Sequence, residues 1–212
     1  MSSSTFATLR RFARSKRPLE QCELCAAPLA HEHPHLVQPA SRQIVCACEA
    51  CAMLFDGMPA GKYRRVSREI RRLTSFQMTD AQWESLLIPI NMAFFFRSSV
   101  ENRMVVFYPS PAGAVESLLP IDAWNEIVQE NTALNQLQPD IEALLVNRIG
   151  HAHERSQAEY YIAPIDECYR LVGLIRVTWK GLSGGSEVWT EIGRFFSALR
   201  AAAGVVGEEA HA

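Results

Sequence analysis

Two short stretches concentrate the reactive chemistry of this chain. Residues 22–25 read CELC and residues 46–51 read CACEAC, so five of the six cysteines fall within 30 residues. Thiolates are soft metal ligands, and a Cys-x-x-Cys turn lets both sulfurs reach one ion while backbone N–H groups bond them. Cys22-x-x-Cys25 and Cys48-x-x-Cys51 lie 22 residues apart and supply two equivalent turns. Together they predict a tetrahedral site of Cys22, Cys25, Cys48 and Cys51, with metal–sulfur distances near ~2.3 Å. Cys46 is the alternative ligand, one strand step behind the second turn. Outside the site it reads as a packed thiol, a spare ligand or a redox-sensitive group. Cys168, inside an apolar helical stretch, reads as a core residue.

Zinc is the expected ion. A module with so few apolar residues buries too little area to fold alone, so the metal would supply folding free energy. The same thiolates suit one iron ion or an iron–sulfur cluster, which makes iron the alternative. His31, His33 and His35 alternate in HEHPHL and could share one strand face. They read as a solvated loop entering a hairpin or, against that, as a second metal site; His33 or His35 could also replace a cysteine ligand.

The elements that must hold these thiols follow from the intervening chain. HLV and QIVC flank QPASR and predict a hairpin, and EACAMLFDG predicts a short helix ending at Gly57. Knuckle, hairpin, then knuckle running into a helix is a treble-clef-like arrangement over residues 21–60. Residues 1–20 form a basic flexible tail, 61–75 a basic connector, 76–203 the main domain and 204–212 a flexible tail.

The main domain mixes two periods. IPINMAFFFRSS and RMVVFYPS, joined by SVENR, predict a β-hairpin, and AVESLLP a third strand. AEYYIAPI is a strand, and IEALLVNRI is ambiguous but suggests a buried strand. Helices are predicted after Thr79 or Asp80, from Asp122, from Asp166 to Gly181, and from Ser186 onward. In the last two, Leu171, Leu174, Ile175 and Thr178, then Val188, Ile192, Phe195, Phe196 and Leu199, form buried stripes. Strands first and helices last argue for an α+β domain, an antiparallel sheet covered by helices on one face.

Other motifs fail on context. GLSGG at 181–185 satisfies G-x-S-x-G, but a helix precedes it and the only later histidine is His211. It reads as a Gly-rich turn between helices. Asp166, Glu167 and the acids of PDIEA read as caps and solvated faces. No P-loop or dinucleotide fingerprint is present, so the chain is expected not to be an enzyme.

Charge divides the chain. Residues 1–72 carry 12 Lys/Arg against 6 Asp/Glu, and residues 73–212 carry 9 against 17. The excess of basic residues peaks in KYRRVSREIRRL, where Arg64, Arg65, Arg68, Arg71 and Arg72 are candidate partner-binding residues. Beside a metal module they could meet phosphates, an acidic protein surface, or the acidic half of this same chain. No apolar run reaches the roughly 20 residues of a membrane span. A secretory h-region is absent, and clustered Cys-x-x-Cys spacing fits a reducing compartment, so a cytoplasmic location is expected over a twin-arginine or mitochondrial signal.

The blocks CELC, HEHPHL, CACEACAMLF, KYRRV, AFFFRSS, FYPSPAGAVESLL and PIDECYRLVGLIRVTWKGLSGGSEVWTEIGRFF resemble, in order over residues 21–200, a bacterial family of unknown function. Its members occur near genes for actinobacterial-type nickel–iron hydrogenases. The resemblance implies an accessory protein that helps mature, assemble or supply electrons to a hydrogenase, and it carries over the cysteine motif without a metal or catalytic residues. Three functions stay open: a zinc-stabilised accessory protein binding a hydrogenase subunit, an iron-binding electron carrier, and a zinc-containing nucleic-acid-binding regulator, the last disfavoured by overall acidity.

Overall fold

The computed structural model describes residues 20–56, 61–149 and 158–206. The expected N-terminal tail, Gly57 and most of the polar stretch after Gly150 lie outside those residues.

The cysteine segment folds around a small three-stranded antiparallel sheet. Strands β1 (His35–Gln38) and β2 (Gln43–Cys46) form the expected hairpin, with His35 opposite Cys46 and Gln38 opposite Gln43. The second Cys-x-x-Cys runs into helix α1 (Glu49–Phe55), as its sequence predicts. A further strand, β3 (Arg64–Arg65), pairs with the other edge of β1. The core beneath is minimal: Cys22, Leu29, Leu36, Val45, Ala47, Cys51 and Ala52 are its buried members. That area is too small to stabilise an isolated unit.

The larger sheet has the order β10-β4-β9-β8-β5-β6-β7. Its strands are β4 (Arg71–Leu73), β5 (Met92–Ser98), β6 (Arg103–Ser110), β7 (Gly113–Ser117), β8 (Glu142–Asn147), β9 (Glu159–Pro164) and β10 (Gly204–Val206). All neighbours are antiparallel except β10 and β4, which are parallel. The ambiguous stretch after residue 140 is therefore a strand, and it lies at the centre. Residues 204–206, expected in the C-terminal tail, instead form β10, which opens as Gly204 donates to the Ile70 carbonyl.

Helices cover both faces of this sheet, which corrects the expectation of one covered face. On one side Phe94, Phe96, Phe107, Leu145 and Tyr161 pack against α4 (Ile165–Thr178) and α5 (Gly185–Ala202). On the other, Ala93, Phe95, Val106, Leu144 and Ile162 meet α2 (Asp80–Ser85), α3 (Ile121–Glu130) and the 3-10 turn Thr132–Gln136. The reason lies in β5 itself. Side chains alternate faces along a strand, so consecutive apolar residues from Met92 to Phe96 place apolar groups on both. Phe95 stacks on Trp124 with ring centroids 4.9 Å apart. Helix starts also differ in detail. Thr79 caps α2 with a full capping box, whereas α3 and α4 begin after Pro120 and Pro164, with Asp122 and Asp166 in their first turns. Proline fixes a favourable φ at a helix entry, and acids there complement the helix dipole.

The two sheets are docked together. Val37, from the cysteine segment, and Val66, from the connector, belong to the core beneath α4 and α5. Arg42, at the hairpin tip, pairs with Glu101 and Glu116 and lies over the rings of Phe96 and Phe107. The basic connector is thus a stitched segment: β3 extends one sheet and β4 the other.

Candidate metal centre

The sulfurs of Cys22, Cys25, Cys48 and Cys51 all lie within 4.8 Å of one another, and those of Cys25 and Cys48 are 3.7 Å apart. A tetrahedron of sulfurs around an ion at ~2.3 Å has edges of about 3.8 Å, so the donor set fits a single four-coordinate ion. All four expected ligands come together.

Local backbone geometry explains why. In the first turn Ala26 donates to the Cys22 carbonyl at 2.8 Å, with Ala26 itself at φ 60°, and Cys22 donates to Ala27 at 2.8 Å. In the second, Cys48 caps α1, and its sulfur accepts the Cys51 N–H at 3.5 Å. The turns are tied directly: Glu23 N–H donates to the Cys46 carbonyl at 2.9 Å, and its carboxylate accepts Cys46 N–H at 2.8 Å. Burial pushes the Cys22 thiol up, but N–H groups of Cys48, Leu24 and Cys25 outweigh it and bring it down to about 6. Cys51 is pushed up to about 12, first by burial and then by its sulfur neighbours. Such N–H-to-sulfur bonds stabilise thiolate, the form that binds metal. Cys22 and Cys51 are buried, Cys48 is half-buried and Cys25 is exposed.

Cys46 is not in this set. It groups with His33 and His35, one ligand atom of each lying within 4.8 Å of the others. The expectation that the histidines form a solvated loop holds for His31, which is exposed, but not for the other two, which are half-buried. A signal for this existed: the hairpin predicted around QPASR sets His35 opposite Cys46. Cys168 is fully buried, and burial raises its thiol well above the ordinary range, as a core residue requires.

The connector arginines divide. Arg71 makes two contacts of 3.0 Å to the carboxylate of Glu142, which is 1% exposed. Arg64 bonds the Pro139 carbonyl and pairs at 3.3 Å with Asp140, which is 4% exposed. Arg65 pairs with Glu49 of α1 at 2.9 Å. Arg68 is exposed and Arg72 is half-buried. The acids of PDIEA are therefore buried partners of the connector, not solvated faces. GLSGG forms the turn between α4 and α5, with Ser183 exposed. A hollow of about 310 Å³, lined by Ile90, Tyr108, Ile149, Trp179, Trp189 and Ile192, is largely apolar. No helix among the described residues is long and apolar enough to cross a membrane.

The chain belongs to a family of unknown function, DUF5947, whose model matches residues 21–203. That match takes in the smaller sheet, every strand of the larger one except β10, and all four cysteines of the site, and it carries no link to hydrogenase genes. Neither a curated protein nor a solved structure is significantly similar to the chain.

Proposed function

We propose that this member of the DUF5947 family is a non-catalytic, zinc-binding accessory protein that acts by binding another protein. The observation that carries the reading is the closed set of four cysteine sulfurs within 4.8 Å of one another. Four thiolates leave a zinc ion no open position for substrate, which is the pattern of a structural site. In such a site the residues supply all the chemistry: Cys22, Cys25, Cys48 and Cys51 would hold the ion, and the ion would hold the treble-clef-like segment against the main sheet.

The partner we propose is a subunit or maturation intermediate of a nickel–iron hydrogenase. Support for it comes from the resemblance of the sequence blocks to hydrogenase-linked proteins. The proposed contact surface is the exposed side of the cysteine segment. Met53 and Leu54 on α1 are 72% and 62% exposed, and Arg68 is exposed nearby in sequence. Arg72, half-buried in β4 of the larger sheet, is the other member of the candidate partner-binding set without an ion pair among the described residues, whereas Arg64, Arg65 and Arg71 are engaged with this chain's own carboxylates. An acidic partner would be steered by the remaining positive charge.

A second reading, an iron-binding electron carrier, is favoured by the exposure of Cys25. A sulfur at the surface shortens the path for an electron, and the same donor set suits one iron ion.

Pull-down from the native host tests the partner. The accessory reading expects capture of a hydrogenase component, weakened by Arg68→Glu with Arg72→Glu and by higher salt. Deletion of the gene should lower hydrogenase activity. Unchanged hydrogenase activity with tight, salt-dependent binding of the pure protein to duplex DNA would contradict the accessory reading.

A further inference from the structure

Beside the four-cysteine centre, on the same hairpin, lies a second group of metal-ligating atoms. His35 and Cys46 are directly opposite in the β1–β2 register, and opposed residues point to the same face of a sheet. His33 stands two residues before His35, and their rings meet edge to face with centroids 5.0 Å apart. A ring nitrogen of each histidine and the Cys46 sulfur fall within 4.8 Å of one another.

The outer contacts of the two rings have the form found behind metal-bound histidines. His35 Nδ1–H donates to Asp166 Oδ2 at 2.6 Å. His33 Nδ1–H donates to the Ala30 carbonyl at 2.9 Å. Carboxylate and carbonyl acceptors of this kind fix the proton on Nδ1, orient the ring and leave Nε2 as the free donor to a metal. An independent feature points the same way. The His33 side chain is only 7% exposed, and its Nε2 is buried without a hydrogen-bond partner among the described residues. A buried lone pair of this kind costs stability unless something satisfies it. The clasp to Asp166 and the turn bond to Ala30 account for both Nδ1 atoms but not for the His33 Nε2, while the Cys46 thiol meets the Glu23 carboxylate. Glu23, whose carboxylate accepts the Cys46 N–H, and Glu20, 3.7 Å from His33 Nδ1, make the surroundings anionic and so favourable to a cation.

We propose that His33, His35 and Cys46 form a second metal site, for a borderline-soft divalent ion of the zinc type, with a fourth position open to water or to an incoming ligand. Two imidazoles and one thiolate suit such ions, and three protein ligands with one open position distinguish an exchangeable or reactive site from a closed structural one. Because Asp166 lies in the first turn of α4, an ion there also joins the cysteine segment to the main domain through His35. The site does not depend on the identity of the ion held by the four cysteines.

The test is metal titration of the full-length protein, stripped of metal under reducing conditions and refilled with zinc against a chromophoric chelator. Cobalt(II) serves as a spectroscopic probe of thiolate number. The wild type should bind about two ions per chain, and His33→Ala and Cys46→Ser about one each, keeping the thiolate-rich one. Asp166→Asn should keep both ions but weaken the second about tenfold or more, the effect of losing an outer-sphere partner. Circular dichroism checks that each variant is folded; since Cys46→Ser removes only a half-buried thiol, it decides the matter if His33→Ala fails to fold. A wild type that binds one ion, lost in Cys22→Ser, overturns the second site and leaves the four-cysteine centre standing. Two ions retained in both His33→Ala and Cys46→Ser also overturn it.

Discussion

At the scale of single residues, the four site cysteines are set by local turns, and Cys46 is set by a strand register. Cys25→Ser should therefore release the ion of the four-cysteine centre, since three thiolates leave an open, weaker site. Cys46→Ser should retain that ion, because its sulfur faces His33 and His35 instead. Metal analysis of the two purified variants checks this, and loss of the thiolate-rich ion from Cys46→Ser alone would reverse the ligand assignment. The four ligands were legible in the sequence because a Cys-x-x-Cys turn is a local object. The pairing of Cys46 with histidines was less so, since it needs the register that places residue 35 against residue 46.

At the scale of elements, most strands were legible from β-branched and aromatic runs, but the layering was not. The last two helices have clean apolar stripes and drew the one-sided reading. The second layer is built from short helices whose buried residues, Trp83 and Trp124 among them, are few. Its weight is testable at Phe95, fully buried and stacked on Trp124. Phe95→Ala should cost about 3–5 kcal/mol, read from chemical denaturation; a loss near zero would mean this face is not packed. The contact between hairpin tip and sheet makes a pH prediction. Glu116 is pushed up by burial, but Arg103 and Arg42 together outweigh this and hold its carboxyl below the usual range. A carboxyl lowered on folding adds stability above its unfolded value, about 4.3, and loses it as pH falls through the folded one. Glu116→Gln should thus melt lower than wild type at neutral pH, with the gap closing in acid. A gap that stays constant with pH would remove the ion pair as its cause.

At the scale of the whole molecule, part of the chain's charge asymmetry is met by ion pairs within it. The basic first third and the acidic remainder meet through Arg42 with Glu101 and Glu116, Arg64 with Asp140, and Arg71 with Glu142. The sequence showed that the halves differ, but which arginines turn inward depends on β3 and β4 joining different sheets. Removing one partner of a buried pair strands the other charge, so Arg71→Ala should cost about 3–5 kcal/mol, where Arg68→Ala should cost little. Thermal melts compare the two; equal, small losses would free Arg71 for an external partner. The central claim, that four cysteines hold one structural zinc, is tested most directly by metal analysis and an absorption spectrum of anaerobically purified Cys46→Ser protein, in which the second group is broken. The account predicts about one tightly held zinc per chain and no visible absorbance, as for a closed zinc–thiolate site. Iron with strong thiolate-to-metal absorption, or a folded protein with no bound metal, would contradict it.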